Sequence, residues 1–144
     1  MRGLNMTKLP FSVLTVLFIG IGLSSCVTTN AEGIKQSEFH GLAVSGERTR
    51  IGRDWSLNPD CSMLALPKVR VLEAPKHGKL EINSEAIFPT ASGFYKKCNA
   101  TRVRGTVEYY TSDKGFVGKD RIVTRSSYGD GLVQDATTNI NVVK

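Results

Sequence analysis

The chain is poor in the residues that most catalytic sites depend on. It has two histidines, His40 and His77, one tryptophan, Trp55, and three cysteines in 144 residues. Two histidines leave little scope for a Ser-His-Asp triad, and no Gly-x-Ser-x-Gly elbow is present. A His-Glu-x-x-His zinc motif and a phosphate-cradling Gly-x-x-x-x-Gly-Lys loop are also missing. No Cys-x-x-Cys pair occurs, so neither a thiol redox site nor a cysteine-rich metal site is indicated. A cell-wall hydrolase would need a cleft holding a perturbed acid, and no pair of residues in the sequence nominates one. The reading is therefore that the protein is not an enzyme and implies no cofactor.

Long hydrophobic runs are scarce as well. The single one extends from Phe11 to Leu23, after a start that carries Arg2 and Lys8 and no acid. It is shorter than the ~20 apolar residues that a membrane-spanning helix requires. A basic start, a short apolar core and then small residues describe a secretory signal peptide.

Two processing routes fit its end. Thr29-Asn30-Ala31 offers small residues to a general signal peptidase. Leu23-Ser24-Ser25-Cys26 resembles the lipobox of bacterial lipoproteins. That resemblance implies cleavage before Cys26, a diacylglycerol on its sulfur and anchoring in the cell envelope. Val27, where inner-membrane retention commonly shows Asp, implies the outer membrane by the same likeness.

With Cys26 set aside, Cys61 and Cys98 form an even pair in an exported chain, which reads as one disulfide. Loss of the leader takes Arg2 and Lys8 with it and lowers the formal charge from +6 to about +4. This modest excess suits an anionic envelope polymer or lipid headgroups, while export argues against a nucleic-acid partner. Residues 26–38 are polar, include Gly33 and read as a flexible tether. Residues 39–144 suffice for one domain.

No window of that body keeps helical spacing of apolar residues over three turns, whereas several alternate with period two. Strands are predicted near Phe39 to Ser45, Arg48 to Ile51, Val69 to Glu73, Lys79 to Ile82, Arg102 to Tyr109, Arg121 to Ser126 and Ala136 to Val143. Turn signals rich in glycine and proline punctuate them: Ser45-Gly46, Asn58-Pro59-Asp60, Pro75 to Gly78, Asp113 to Gly115 and Gly129 to Gly131. For Arg102 to Tyr109 the alternation places Val103, Val107 and Tyr109 inward and Arg102, Arg104, Thr106 and Glu108 in water. Gly105 between them suggests a bulge or a close backbone approach. Ile122, Ile140 and Val142 are further core candidates. An all-β, antiparallel sandwich or barrel follows.

Pro75 to Leu80 (PKHGKL), followed by Tyr109 to Ile122 (YYTSDKGFVGKDRI), the Gly129 to Gly131 turn and a closing strand rich in valine, resembles bacterial Ig-like and cadherin-like modules of cell-surface proteins. The likeness spans about Val69 to Val143. It implies an Ig-like β-sandwich used for adhesion, spacing or ligand presentation. A second likeness gives an alternative: Ala91 to Tyr95 and Tyr110 to Gly115 are similar to motifs of lysozyme-inhibitor lipoproteins, implying an inhibitor of a lysozyme-type hydrolase.

The remaining candidates are surface groups. Lys68, Arg70, Lys96, Lys97, Arg102 and Arg104 lie within or beside the stretch closed by Cys61 and Cys98, and offer a cationic surface for an anionic partner. Asp113, Asp120, Asp130 and Asp135 do not match an EF-hand spacing and read as turn caps, so no metal is implied. His77 reads as a turn residue, and Trp55 as core packing or a binding platform.

Overall fold

The computed structural model describes residues 28–144. Residues 1–27, on which the expected signal peptide and Cys26 fall, lie outside the described residues. Strands β1 (Thr28–Thr29), β2 (Lys35–Val44), β3 (Arg48–Asp54), β4 (Ser56–Leu57), β5 (Met63–Ala65), β6 (Lys68–Glu73) and β7 (Gly78–Ile87) are followed by a 3-10 helix, Gly93–Ala100. Then come β8 (Val103–Ser112), β9 (Gly118–Ser127) and β10 (Val133–Val143).

A five-stranded sheet has the order β1-β2-β10-β9-β6, and a three-stranded sheet has the order β3-β8-β7. β4 and β5 form a separate pair. The chain crosses between the two large sheets at β2 to β3, β3 to β6, β6 to β7 and β8 to β9. This is the connectivity of Ig-like sandwiches, in which the second, fifth and fourth strands make one sheet and the third, sixth and seventh the other.

The sheets are not wholly antiparallel. β2 and β10 run parallel from Lys35 beside Gln134 to Val44 beside Val143. A parallel pair needs a long connection between its strands. Here that connection is the rest of the domain, which no local pattern of residues reveals.

The ordered body also begins before Phe39. Thr28–Thr29 pairs with Lys35 and Gln36, and the side chain of Asn30 accepts the amides of Glu32 and Ile34 to fix the intervening turn. Lys35 to Glu38 pair with Gln134 to Thr137 through the backbone, so they need no large apolar side chains to be ordered. For that reason composition read them as tether.

Two core clusters form, on opposite faces of β8. Ala43, Tyr110, Ile122, Ile140 and Val142 fill the space between the large sheets, with Ile51, Leu80 and Phe116 against them. Ile87, Val103 and Val107 lie on the other face, with Trp55, Leu57 and Tyr109 packed on them. The alternation expected for β8 is thereby inverted. Thr106 and Glu108 are turned to the five-stranded sheet, where Thr106 donates to the carbonyl of Pro67 and Glu108 accepts from Thr124. The period-two pattern was real, but both faces of β8 are covered, so the more apolar face was not the one between the sheets.

Gly105 sits in the second cluster because nothing larger fits. A Cβ there would lie 2.4 Å from Ile87 Cδ1 and 2.6 Å from the carbonyl oxygen of Asp54. The sequence suggested a bulge or a close approach, and the close approach is what occurs. At the closed end of the sandwich, Asp120 accepts the amides of Lys76, His77 and Arg121 and the hydroxyl of Tyr110. One buried carboxylate thus joins β8, β9 and the turn before β7.

Candidate functional site

The opposite end is open and polar. β3 carries a bulge, with the register shifting between Arg50 and Gly52, so that Gly52 comes opposite Glu108 and Asp54 opposite Thr106. A bulge re-aims the side chains beyond it. Here it allows Ile51 to reach the core while Asp54 shares the inter-sheet face with Glu108. β9 ends one residue before Tyr128, whose hydroxyl returns to Asp54.

Two adjoining recesses result, and both are lined by Arg53, Asp54, Tyr128 and Gln134. The outer one, about 430 Å³, is walled by Trp55, Leu57, Thr90, Ser92 and Tyr95. The inner one, about 290 Å³, reaches between the sheets to Ile51, Gly52, Glu108, Ser126, Ala136 and Thr138. These sizes are close to the lower end of small-ligand sites, about 300–1,000 Å³.

The two carboxylates are held differently. Asp54 accepts hydroxyl hydrogen bonds from Ser126 at 2.7 Å and Tyr128 at 2.8 Å. Glu108 is 6 % exposed and has one long hydrogen bond, from Thr124 at 3.4 Å. Burial, and then the negative charge of Asp54, push the Glu108 carboxyl up to about 7, with the Thr124 hydroxyl opposing. Burial and then Asp54 also raise the Tyr128 phenol above its ordinary value. Among the described residues neither acid forms a salt bridge. Arg53 instead donates to the carbonyl of Phe88 at 3.2 Å, with its guanidinium 6.0 Å from the Trp55 ring centre.

The rim is braced by the predicted disulfide. Cys61, in the β4–β5 turn, is bonded to Cys98 of the 3-10 helix, with Cα atoms 5.2 Å apart. Asn99 in the same helix accepts the Ala91 amide and donates to its carbonyl. Loops carrying Trp55 and Tyr95 are thereby tied to each other.

The six cations singled out in the sequence are all exposed and are spread over different elements. Lys68 and Arg70 lie on β6 of the five-stranded sheet, Lys96 and Lys97 on the 3-10 helix, Arg102 just before β8 and Arg104 near its start. Lys97 lies over the Phe94 ring, and Arg104 donates to Ser84. Arg102 and Arg104 are both turned to solvent, as the alternation requires, but the six do not share one element.

Other candidates have structural roles. His77 stacks on Phe116, with ring centres 4.1 Å apart. His40 is exposed beside Glu38. Tyr110, the first residue of the second inhibitor-like stretch, is fully buried against Asp120. Asp135 binds Arg125 and Gln36, and Asp130 caps the Leu132 amide. Among the described residues no three metal-ligating side chains gather.

Sequence reasoning passed over Asp54, Glu108 and Tyr128. One signal was available: the doublet Tyr109-Tyr110 puts an aromatic on each face of β8, which marks both faces as covered and Glu108 as buried whichever way the strand turns. In comparisons with known proteins, no family model matches the chain and no curated protein matches it.

Proposed function

We propose that the chain is a non-catalytic lipoprotein of the bacterial cell envelope, anchored through Cys26 in the outer membrane, whose Ig-like sandwich presents a ligand-binding cleft. The observation that carries this reading is the open recess of about 430 Å³ at one end of the sandwich, with Trp55 and Tyr95 in its wall. Apolar and aromatic walls with a few fixed polar groups are the usual composition of a ligand site. The disulfide supports it, since bracing the rim lowers the cost of ordering it on binding. The scatter of the cations over several elements favours the cleft over an extended cationic surface as the recognition element.

The reading is tested in membranes of the native host. A photo-crosslinking residue at Tyr95 should capture a defined envelope component. The same residue at Lys119, on β9 and away from the recess, should not. Equal capture at both positions, or none at Tyr95, would overturn the cleft as the binding site.

A further inference from the structure

The inner recess is lined by two acids, Glu108 and Asp54, neither of which is held in a salt bridge among the described residues. Glu108 Oε2 accepts no hydrogen bond from the described residues, and it lies where a Cβ on Gly52 would be 3.1 Å away. Gly52 therefore leaves open the space that this oxygen faces. Asp54 lines the same recess, and each of its oxygens keeps an acceptor site beyond the single hydroxyl it binds. A carboxylate this deeply buried without a counter-charge is costly to keep ionised. Arg50 and Arg53 line the recess but form no salt bridge to either acid.

We propose that the inner recess binds the primary ammonium of a small organic cation between Glu108 and Asp54, with its hydrocarbon chain leading out along Tyr128 and Trp55. This rests on the binding-module reading and names its ligand class. An ammonium supplies three N–H donors to an acceptor-only pair. Aromatic walls favour a cation over water at the mouth. A calcium ion would want six to eight oxygen ligands, more than two carboxylates and a few hydroxyls provide. A neutral sugar would leave Glu108 without a counter-charge.

The test is an NMR titration of the protein with cadaverine, and with 1,5-pentanediol as its neutral counterpart. Cadaverine should shift the amides of Gly52, Glu108 and Ala136 at pH 8, and the diol should not. The titratable groups coupled to Glu108 are Asp54 on β3 and Tyr128 after β9, while Arg50 and Arg53 on β3 line the recess and Arg53 is turned to Phe88 and Trp55. Because proton and ammonium compete for Glu108, the apparent affinity should fall about tenfold between pH 8 and pH 6. Glu108→Gln, with its dispersed spectrum as the check of folding, should weaken cadaverine binding at least about tenfold. Equal shifts with the diol, affinity that is flat in pH, or unchanged binding by the variant would each overturn the proposal. Tyr95 crosslinking in membranes together with no cadaverine shift would overturn the ammonium class and leave the binding-module reading standing.

Discussion

Glu108→Gln should stabilise the protein, and the gain should depend on pH. The side chain lies between the sheets at 6 % exposure, and its carboxyl is raised from 4.5 to about 7. Between those values the folded chain binds more protons than the unfolded one, so stability falls as pH rises through the window and levels off above it. Each pKa unit corresponds to about 1.4 kcal/mol, which puts the full cost of ionising Glu108 in the fold at about 3 kcal/mol. Some of that cost is already present at pH 5, because the unfolded carboxyl has begun to ionise there. The advantage of Gln over Glu should therefore be about 2.5 kcal/mol larger at pH 8 than at pH 5.

Urea unfolding of both proteins at the two pH values measures this directly, provided the slopes with denaturant agree. Gln keeps the shape of the protonated acid, so little repacking enters the difference. A stability gap that is the same at pH 5 and pH 8 would refute the assignment of Glu108 as a buried acid strained by ionisation. If Asp54 contributes as its position on the same face implies, Asp54→Asn should narrow the pH-dependent gap by removing the second cause of the shift.

Reduction of Cys61–Cys98, which spans 37 residues, should cost about 4 kcal/mol in the chain-entropy account and change Trp55 fluorescence as the rim loosens; calorimetry and emission spectra, each with and without reductant, read the two effects. Asp120→Asn should cost about 2–3 kcal/mol, because an amide nitrogen must face a donor among Lys76, His77, Arg121 and Tyr110. Burial disfavours ionisation of Asp120, but the three amides together outweigh it and lower its carboxyl pKa, so wild-type stability from this group is present above about pH 4 and lost in acid. Acid unfolding curves should separate the two proteins above that pH and bring them together below it. Gly105→Ala should cost about 1–3 kcal/mol by pressing on Ile87 and the Asp54 carbonyl; an unchanged melting temperature would contradict the close packing there. Protein extracted from host membranes should have the mass of residues 26–144 plus acyl chains, whereas an unlipidated species beginning at Glu32 would refute the anchor at Cys26.

The seven long strands were legible in period-two alternation and turn residues, though most extend beyond their predicted bounds. Backbone ladders continue where side chains no longer alternate, as at Lys35 to Glu38 beside β10 and Asn83 to Ile87 beside β8. β1, β4 and β5 were too short to carry a pattern, and the 3-10 helix lies in a stretch held by a disulfide and Asn99 rather than by periodic apolar residues. The core residues Ile122, Ile140 and Val142 were readable because their strands have one dry face. β8 was misread because Val103 and Val107 are covered by Trp55 and Leu57, which come from a distant part of the chain.

The candidate site was illegible for the same reason. Asp54 and Glu108 meet through a bulge at Ile51 and through the inverted strand, and neither can be inferred without knowing what lies over each face. Their placement has a physical counterpart at the other end of the sandwich. There, Tyr110 and Asp120 close the interior with every buried polar atom paired, and the apolar cluster of Ile122, Ile140 and Val142 fills the space behind them. At the open end the same two sheets enclose Thr124, Ser126, Thr138, Asp54 and Glu108 in place of apolar side chains. A sandwich that needed only stability would continue its apolar filling along that half, since replacing buried ionisable groups by apolar ones of like volume is commonly neutral or stabilising. The closed end and the disulfide stabilise the fold, while the open end keeps Glu108, whose ionisation opposes folding as the pH rises. Such a division between a stabilising end and a polar, partly neutralised one is what a scaffold carrying a recognition site requires, and it makes Glu108 the residue at which stability and binding should trade against each other.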